Sequence, residues 1–253
     1  MQQAHDIITR TVKGLSLSAI EQAKSGHTSF PLGMADVGFS LFYNKMKYNP
    51  KDSNWINRDR LALSSGHGSM FIYSFLYLMG YELTLDDLKQ FRQIGSKTPG
   101  HPEYGHTDGV ECTTGPLGQG IANAVGMALA EEMSASQFNT DTFKVFDHFT
   151  YCLCGDGDLM EGVAMEAISL AGHLGLKKLI TLYDANEITI DGRIDITYTE
   201  GVKEKFEAQH WHVQEIDGHN LDEILTAIDA AQASDKPSLI IAKTVSGKGA
   251  VNW

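Results

Sequence analysis

The chain has 253 residues, of which 42% are hydrophobic and 21% charged, enough to bury a sizeable core as one large α/β domain or two small ones. Its 32 acids against 20 bases give a formal net charge of −12, which argues against a nucleic-acid partner, because phosphate neutralisation needs clustered Lys and Arg. Cys112, Cys152 and Cys154 form no CxxC pair, no charged-then-apolar leader opens the chain, and no apolar run approaches membrane-spanning length, so a cytoplasmic protein with no membrane partner and three buried apolar thiols is expected.

Residues 6–23 carry Ile7, Ile8, Val12, Leu15 and Ile20 at roughly helical spacing, which predicts an amphipathic first helix. A second helix is expected over 34–47. RLALSSGHG (60–68) reads as a short strand leaving into a glycine-bearing loop, and 70–79 as an apolar helix. Thr84 with Asp87 supplies an N-cap and a first-turn acid for LDDLKQF. From Gly95 to Gly120 the chain is too rich in glycine and proline for regular structure, and a loop of that length in a compact domain is usually functional or disordered. A helix from about 119 to 133 closes it, and SASQFNTD (134–141) resembles a surface insertion. The second half alternates: strand at 149–154, helix at 159–175 with Gly175 as C-cap, and strand at 178–186. Strand at 212–217, a helix capped by Asn220 with Glu223, and strand at 238–243 complete it. This alternation predicts a three-layer α/β fold, a mostly parallel sheet with helices on both faces, in which ligands bind beyond the carboxyl ends of the strands where strand order reverses.

One such end carries chemistry. Asp156 follows the strand at 149–154, and Asn186 follows the next strand, 30 positions later. One strand, helix and strand unit therefore delivers a carboxylate and an amide oxygen to the same edge. Hard oxygen ligands that leave coordination places open suit magnesium, which shares its shell with phosphates and water. Gly155 and Gly157 permit close backbone approach, and the helix starting near Leu159 offers unpaired N–H groups to an anion. An acid after a glycine is also a common turn or cap residue. What distinguishes this one is the order GDG, helix, strand and then DANEITIDG (184–192), which matches the thiamine diphosphate fingerprint.

At this point the sequence resembles the amino-terminal part of transketolase. SGHTSFPLGMA (25–35), LSSGHGS (63–69), TPGHPE (98–103), TTGPLGQG (113–120), GDGDLMEG (155–162) and DANEITIDG occur in the family's order and approximate spacing, over almost the whole chain. TPGHPE with TTGPLGQG separates it from the related deoxyxylulose phosphate synthases. The resemblance implies one thiamine diphosphate-binding domain over 1–253, with the thiamine diphosphate-binding fold. It implies that Asp156, the Asn186 side chain and the Ile188 carbonyl hold magnesium, with calcium or manganese as substitutes. It implies that Gly157 approaches the diphosphate near His67, that Gly115 and Leu117 line the cofactor, and that Ile190 packs on the thiazolium. His27 and His101 would face the sugar and exchange protons with it, and Glu161 and Glu166 resemble interface acids linking paired active sites in a homodimer.

The activity so implied is transfer of a two-carbon ketol unit from a ketose phosphate to an aldose phosphate. His27, His67 and His101 each lie in a glycine-flanked loop. His5, His106, His148, His173, His210, His212 and His219 are read as surface or hydrogen-bonded core residues, with His173 complementing a helix dipole. Glu187 and Asp191 are expected to be solvated. Thr28, Ser29 and Phe30 depart from the family's SGHPGAP. The chain also ends at KTVSGKGAVNW, where the family continues towards another histidine and a pyrimidine-binding domain. The chain alone is therefore expected to be inactive or nearly so. It reads as a fragment, or as a split-enzyme subunit completed by a carboxyl-terminal half from the same gene or a separate chain. The competing readings are a noncatalytic cofactor-binding or assembly module, another thiamine diphosphate-dependent enzyme such as a deoxyxylulose phosphate synthase, and an unrelated magnesium-dependent phosphohydrolase.

Overall fold

Burial at helical spacing shapes the first element of the computed structural model, which describes residues 1–190 and 192–250. In α1 (Gln2–Ala23), Val12, Ser16, Ala19 and Ile20 face inward, and the helix ends where Lys24 turns left-handed at φ 51°. Then come α2 (Ser29–Gly33), α3 (Ala35–Phe39), which passes into a π-helical turn over Ser40–Lys45, and β1 (Arg60–Leu63) with a 3₁₀ turn at Gly66–Gly68. The helix expected over 34–47 is therefore present but changes its ladder midway, and α2 was not expected. After α4 (Ser69–Met79), α5 (Leu85–Lys89) starts at the expected N-cap Thr84, and the first-turn acid closes a full capping box: Asp87 N donates to Thr84 Oγ1 at 3.1 Å and Thr84 N to Asp87 Oδ2 at 2.8 Å. Between Gln90 and Gly118 the chain forms only turns and bends.

The long helix α6 (Gln119–Phe138) runs five residues beyond expectation and takes in the first half of the expected insertion. Ala, Glu, Met and Gln favour helix there. It stops at Asn139, whose Oδ1 accepts from Val145 N at 2.7 Å and Phe146 N at 3.0 Å, closing the following loop. Next are β2 (Thr150–Gly155), α7 (Asp156–Leu159), α8 (Gly162–Leu174) and β3 (Leu179–Ala185). The single helix expected over 159–175 is thus replaced by α7 and α8, parted where Glu161 is extended at φ −80° and ψ 137° as the N-cap of α8. Gly175 ends α8 in the expected left-handed conformation, φ 62°. The hairpin β4 (Ile188–Thr189) and β5 (Gly192–Arg193) and the helix α9 (Val202–Ala208) were not expected. Then β6 (His212–Asp217), α10 (Leu221–Ala233) and β7 (Ser238–Lys243) close the order. The expected solvation of Asp191 lies outside the described residues, whereas Glu187 is exposed.

The five main strands pair in parallel in the order β1-β2-β3-β7-β6. Side chains alternate across the sheet and make two cores. Tyr151, Leu153, Ile180, Leu182 and Ile240 pack with Val12, Phe71 and Ile228 from α1, α4 and α10. Cys152, Cys154, Leu179, Leu239 and Ile241 pack with Ala124, Ile168 and Phe206 from α6, α8 and α9. This is the three-layer α/β arrangement expected. All three cysteines are free and buried, and burial pushes their thiols up. Among the described residues no helix is long and apolar enough to cross a membrane.

Candidate functional site

The crossover into β3 runs through α8 on one face and the crossover into β7 through α10 on the other, so strand order reverses between β3 and β7. Register aligns Gly155 of β2 with Asp184 of β3, and Ala185 with Lys243 of β7. Asp156 and Asn186, each one residue past its strand, therefore emerge side by side. With Tyr183, Lys243 and Thr244 they line one cavity of about 580 Å³.

Within this cavity the Tyr183 hydroxyl donates to Asp156 Oδ1, while Asp156 Oδ2 is buried without a partner. Burial pushes the Asp156 carboxyl up to about 6. An orphaned buried acceptor costs free energy until a cation or donor meets it. Asn186 is held on both sides: its Nδ2 donates to Asp184 Oδ2 at 2.9 Å, and its Oδ1 accepts from Ile188 N at 3.0 Å. Asp184, 1% exposed, also accepts the Thr244 hydroxyl, and burial followed by the nearby Asp156 charge leaves it raised to about 7. Among the described residues no three His, Cys, Asp or Glu side chains could jointly hold a metal. A cation here would take a carboxylate oxygen and an amide oxygen from the protein and fill its other places from backbone, phosphate or water. That donor set suits magnesium.

Two loops reach the same edge. A Cβ added to Gly157 would lie 3.1 Å from the Leu117 side chain, and one added to Gly115 (φ 151°) would lie 3.4 Å from the His101 ring. Leu117 is thus set against Gly157, and Gly115 against His101. Asp158, fully buried, ties these loops together. Ser64 and Gly118 N donate to its Oδ1 and Ser65 to its Oδ2, each at 2.7 Å, and Gly155 N donates to Oδ2 at 2.9 Å.

His27 and His67 meet edge to face with ring centroids 5.1 Å apart. Arg92, whose φ is 61°, donates to Ser25 Oγ at 2.7 Å and, more loosely, to His27 Nδ1 at 3.4 Å. His27 therefore carries its proton on Nε2. Burial, then the Arg92 charge, holds His27 and His101 below the ordinary imidazole value. Burial and then His27 do the same for His67. All three rings are neutral near pH 7. Replacing Arg92 with methionine is expected to raise the titration midpoints of His27 and His101 in an NMR pH series; unmoved midpoints would leave burial as the sole cause.

Other expected site residues stand apart from the cavity wall. Ile188 contributes its amide to Asn186, and Ile190 is 98% exposed at the hairpin tip with φ 51°. Glu161 is exposed and sits against Gly118, where an added Cβ would lie 2.9 Å from the Glu161 Cβ. Glu166 lies exposed on the outer face of α8, which also exposes Val163, Leu170 and Leu174. His5 and His219 have structural surroundings: both rings bond the buried Asp36, at 2.8 and 3.0 Å, and His219 Nε2 accepts from Val245 N at 2.9 Å.

Sequence reasoning missed Asp158, Asp184, Tyr183 and Arg92. For Asp158 there was a local signal, a second acid in GDGD, but its serine partners lie more than 90 residues away along the chain. For Arg92 there was none.

The family described as "Transketolase, thiamine diphosphate binding domain" matches residues 4–253. The chain is 55% identical over 249 residues to the transketolase of Geobacillus stearothermophilus, covering 98% of this chain and 37% of that protein. It is 54% identical over 244 residues to that of Bacillus subtilis, covering 96% and 37%. Among solved structures, the transketolase from Campylobacter jejuni superposes with a TM-score of 0.95 at 50% identity, over 99% of this chain and 39% of that one. A Pichia stipitis transketolase in complex with sedoheptulose 7-phosphate gives 0.95 at 47% identity, over 98% and 37%. The chain thus spans a little over a third of the length of these relatives.

Proposed function

The chain belongs to the transketolase family, and from that membership we propose that residues 1–253 are the diphosphate- and magnesium-binding part of a cytoplasmic transketolase. The observation that carries this reading is the pairing of Asp156, with its unpartnered Oδ2, and Asn186 on one cavity at the reversal of strand order. Asp156, the Asn186 amide oxygen and the Ile188 carbonyl would hold magnesium, or calcium or manganese in its place. Gly157 would admit the diphosphate to the backbone beside His67, with Gly115, Leu117 and Ile190 lining the rest of the cofactor.

Bound thiamine diphosphate supplies a carbon nucleophile and an electron sink for carbon–carbon cleavage. The chain's own residues bind, orient and move protons. Neutral His27, with its proton on Nε2, can donate to a sugar oxygen and take the proton back, and His101 can do the same from the opposite loop. Asp184 fixes the Asn186 amide, and Tyr183 occupies one Asp156 oxygen, leaving the other unpartnered oxygen as the one that would hold the ion. The substrates proposed are a ketose phosphate donor and an aldose phosphate acceptor. The partners proposed are a carboxyl-terminal transketolase half and a second copy of the assembled chain, the latter docking on the exposed face of α8 around Glu161 and Glu166.

The test is complementation. The chain is mixed with the separately produced carboxyl-terminal part of the Bacillus subtilis transketolase, thiamine diphosphate, magnesium and both sugar phosphates. Ketol-transfer product is expected only when both parts are present. A mixture that associates and yet forms no product would refute the catalytic reading.

A further inference from the structure

Two acids share the GDGD turn, and their surroundings are opposite. Asp156 opens onto the cavity with an oxygen unpartnered, whereas Asp158 is closed. An ionised carboxylate offers about four lone-pair sites, and four donors meet the two oxygens of Asp158, two on each. The side chain is wholly buried, and none of the ion pairs among the described residues involves it. Hydroxyl and amide dipoles alone stabilise the charge, so every donor is charge-assisted and removing the charge loosens all four.

Those donors belong to three separate segments. Ser64 and Ser65 lead from β1 into the turn carrying His67, Gly118 ends the loop carrying Gly115 and Leu117, and Gly155 begins the turn carrying Asp156 and Gly157. Glycine is required at the close approach: a Cβ on Gly118 (φ 77°) would fall 3.2 Å from the Asp158 carbonyl oxygen. We propose that Asp158 is a positioning residue, a carboxylate clamp that sets these three segments in place before any ligand arrives. This deepens, and rests on, the cofactor reading above: the clamp would fix the spacing between Gly157, Leu117 and His67 that a diphosphate must enter. It excludes Asp158 as a metal ligand in spite of its place in the motif.

The test is amide hydrogen exchange by NMR on the ligand-free chain, alongside calorimetric titration with thiamine diphosphate and magnesium. Asp158→Asn keeps the shape but turns an amide N–H₂ towards donors. Exchange at Gly118 and Gly155 is expected to accelerate about tenfold or more beyond any change in global stability, the scale of one lost charge-assisted bond. Cofactor affinity should fall about 10- to 100-fold. Ile228→Ala, a cavity in the opposite core, supplies the comparison: it lowers stability and should leave the two glycine amides tracking the global value. Ser65→Ala, which removes one donor, reads the same amides if Asp158→Asn does not fold.

Glycine amides that follow global stability alike in all variants would overturn the clamp. Selective loosening in a chain that binds no thiamine diphosphate, even when mixed with the carboxyl-terminal part of the Bacillus subtilis transketolase, would support the clamp and remove the cofactor reading, so the two fail separately.

Discussion

Replacing Asp156 with alanine is expected to abolish magnesium-dependent thiamine diphosphate binding, leaving a flat calorimetric trace at concentrations that saturate the unaltered chain. On the cavity wall Asp156 Oδ2 is a buried carboxylate oxygen without a partner. Asn186 offers a neutral amide oxygen already shared with the Ile188 N–H at 3.0 Å. With the single anionic ligand gone, magnesium, which gives up its water reluctantly, has no reason to prefer the site to bulk solvent. A loss of about 100-fold or more is expected, beyond the range seen for residues that act only behind a ligand. Asn186→Ala should cost less, on the order of tenfold. The alanine chain should fold, since what it loses in the fold is one hydroxyl acceptor for Tyr183, worth about 1 kcal/mol. Equal heats from the variant and its parent would reject the ligand role.

The second large effect is on stability and runs the other way. Asp156→Asn should make the ligand-free chain more stable at pH 8 and leave it unchanged at pH 4. Burial raises this carboxyl from its ordinary 3.8 to about 6. Between those values the folded chain holds a proton that the unfolded chain has lost. The group's contribution is therefore fully present below about pH 4 and is lost as pH rises through about 6. A shift of about two units corresponds to roughly 3 kcal/mol, or about 6–12 °C in Tm for a chain of this size. Asparagine keeps the shape and can accept the Tyr183 hydroxyl without the charge.

His27, His67 and His101 have the opposite sign, because burial lowers each of them: their contributions are present above the ordinary imidazole value and lost as pH falls. The informative quantity is therefore the difference between variant and parent at each pH, measured by thermal unfolding. A difference that does not change with pH would refute the buried-charge explanation. The same residue thus weakens the empty fold and, under the proposed function, is the one the ion needs.

The regular elements were legible wherever one signal dominated. Apolar runs bounded by turn residues located β7 to the residue and β3 to within one, and the strand expected at 212–217 coincides with β6 although its HVQEID is mostly polar. Thr84 with Asp87 and Asn220 with Glu223 marked helix starts that the structure keeps. Asp156 and Asn186 were legible as a pair because parallel-strand geometry sends the residues just past adjacent strands to one edge. What escaped were features decided by distant partners. Just before the break between α7 and α8, Asp158 is gripped by Ser64, Ser65 and Gly118, partners that no local window contains. Arg92 reaches His27 across 65 positions from a left-handed backbone that the sequence around it does not announce. The hairpin β4–β5 has two residues per strand, too short for alternation to register.

Asp184 has one oxygen on Asn186 and the other on Thr244 just past β7. The handover from the last strand to whatever follows is thereby fastened to the amide of the cavity. For anyone building chimeras between relatives, a splice at residue 243 would cut through that fastening and let a foreign side chain reset the amide from behind. A seam placed ahead of Ser238 would transplant strand, hydroxyl and onward path as one cassette.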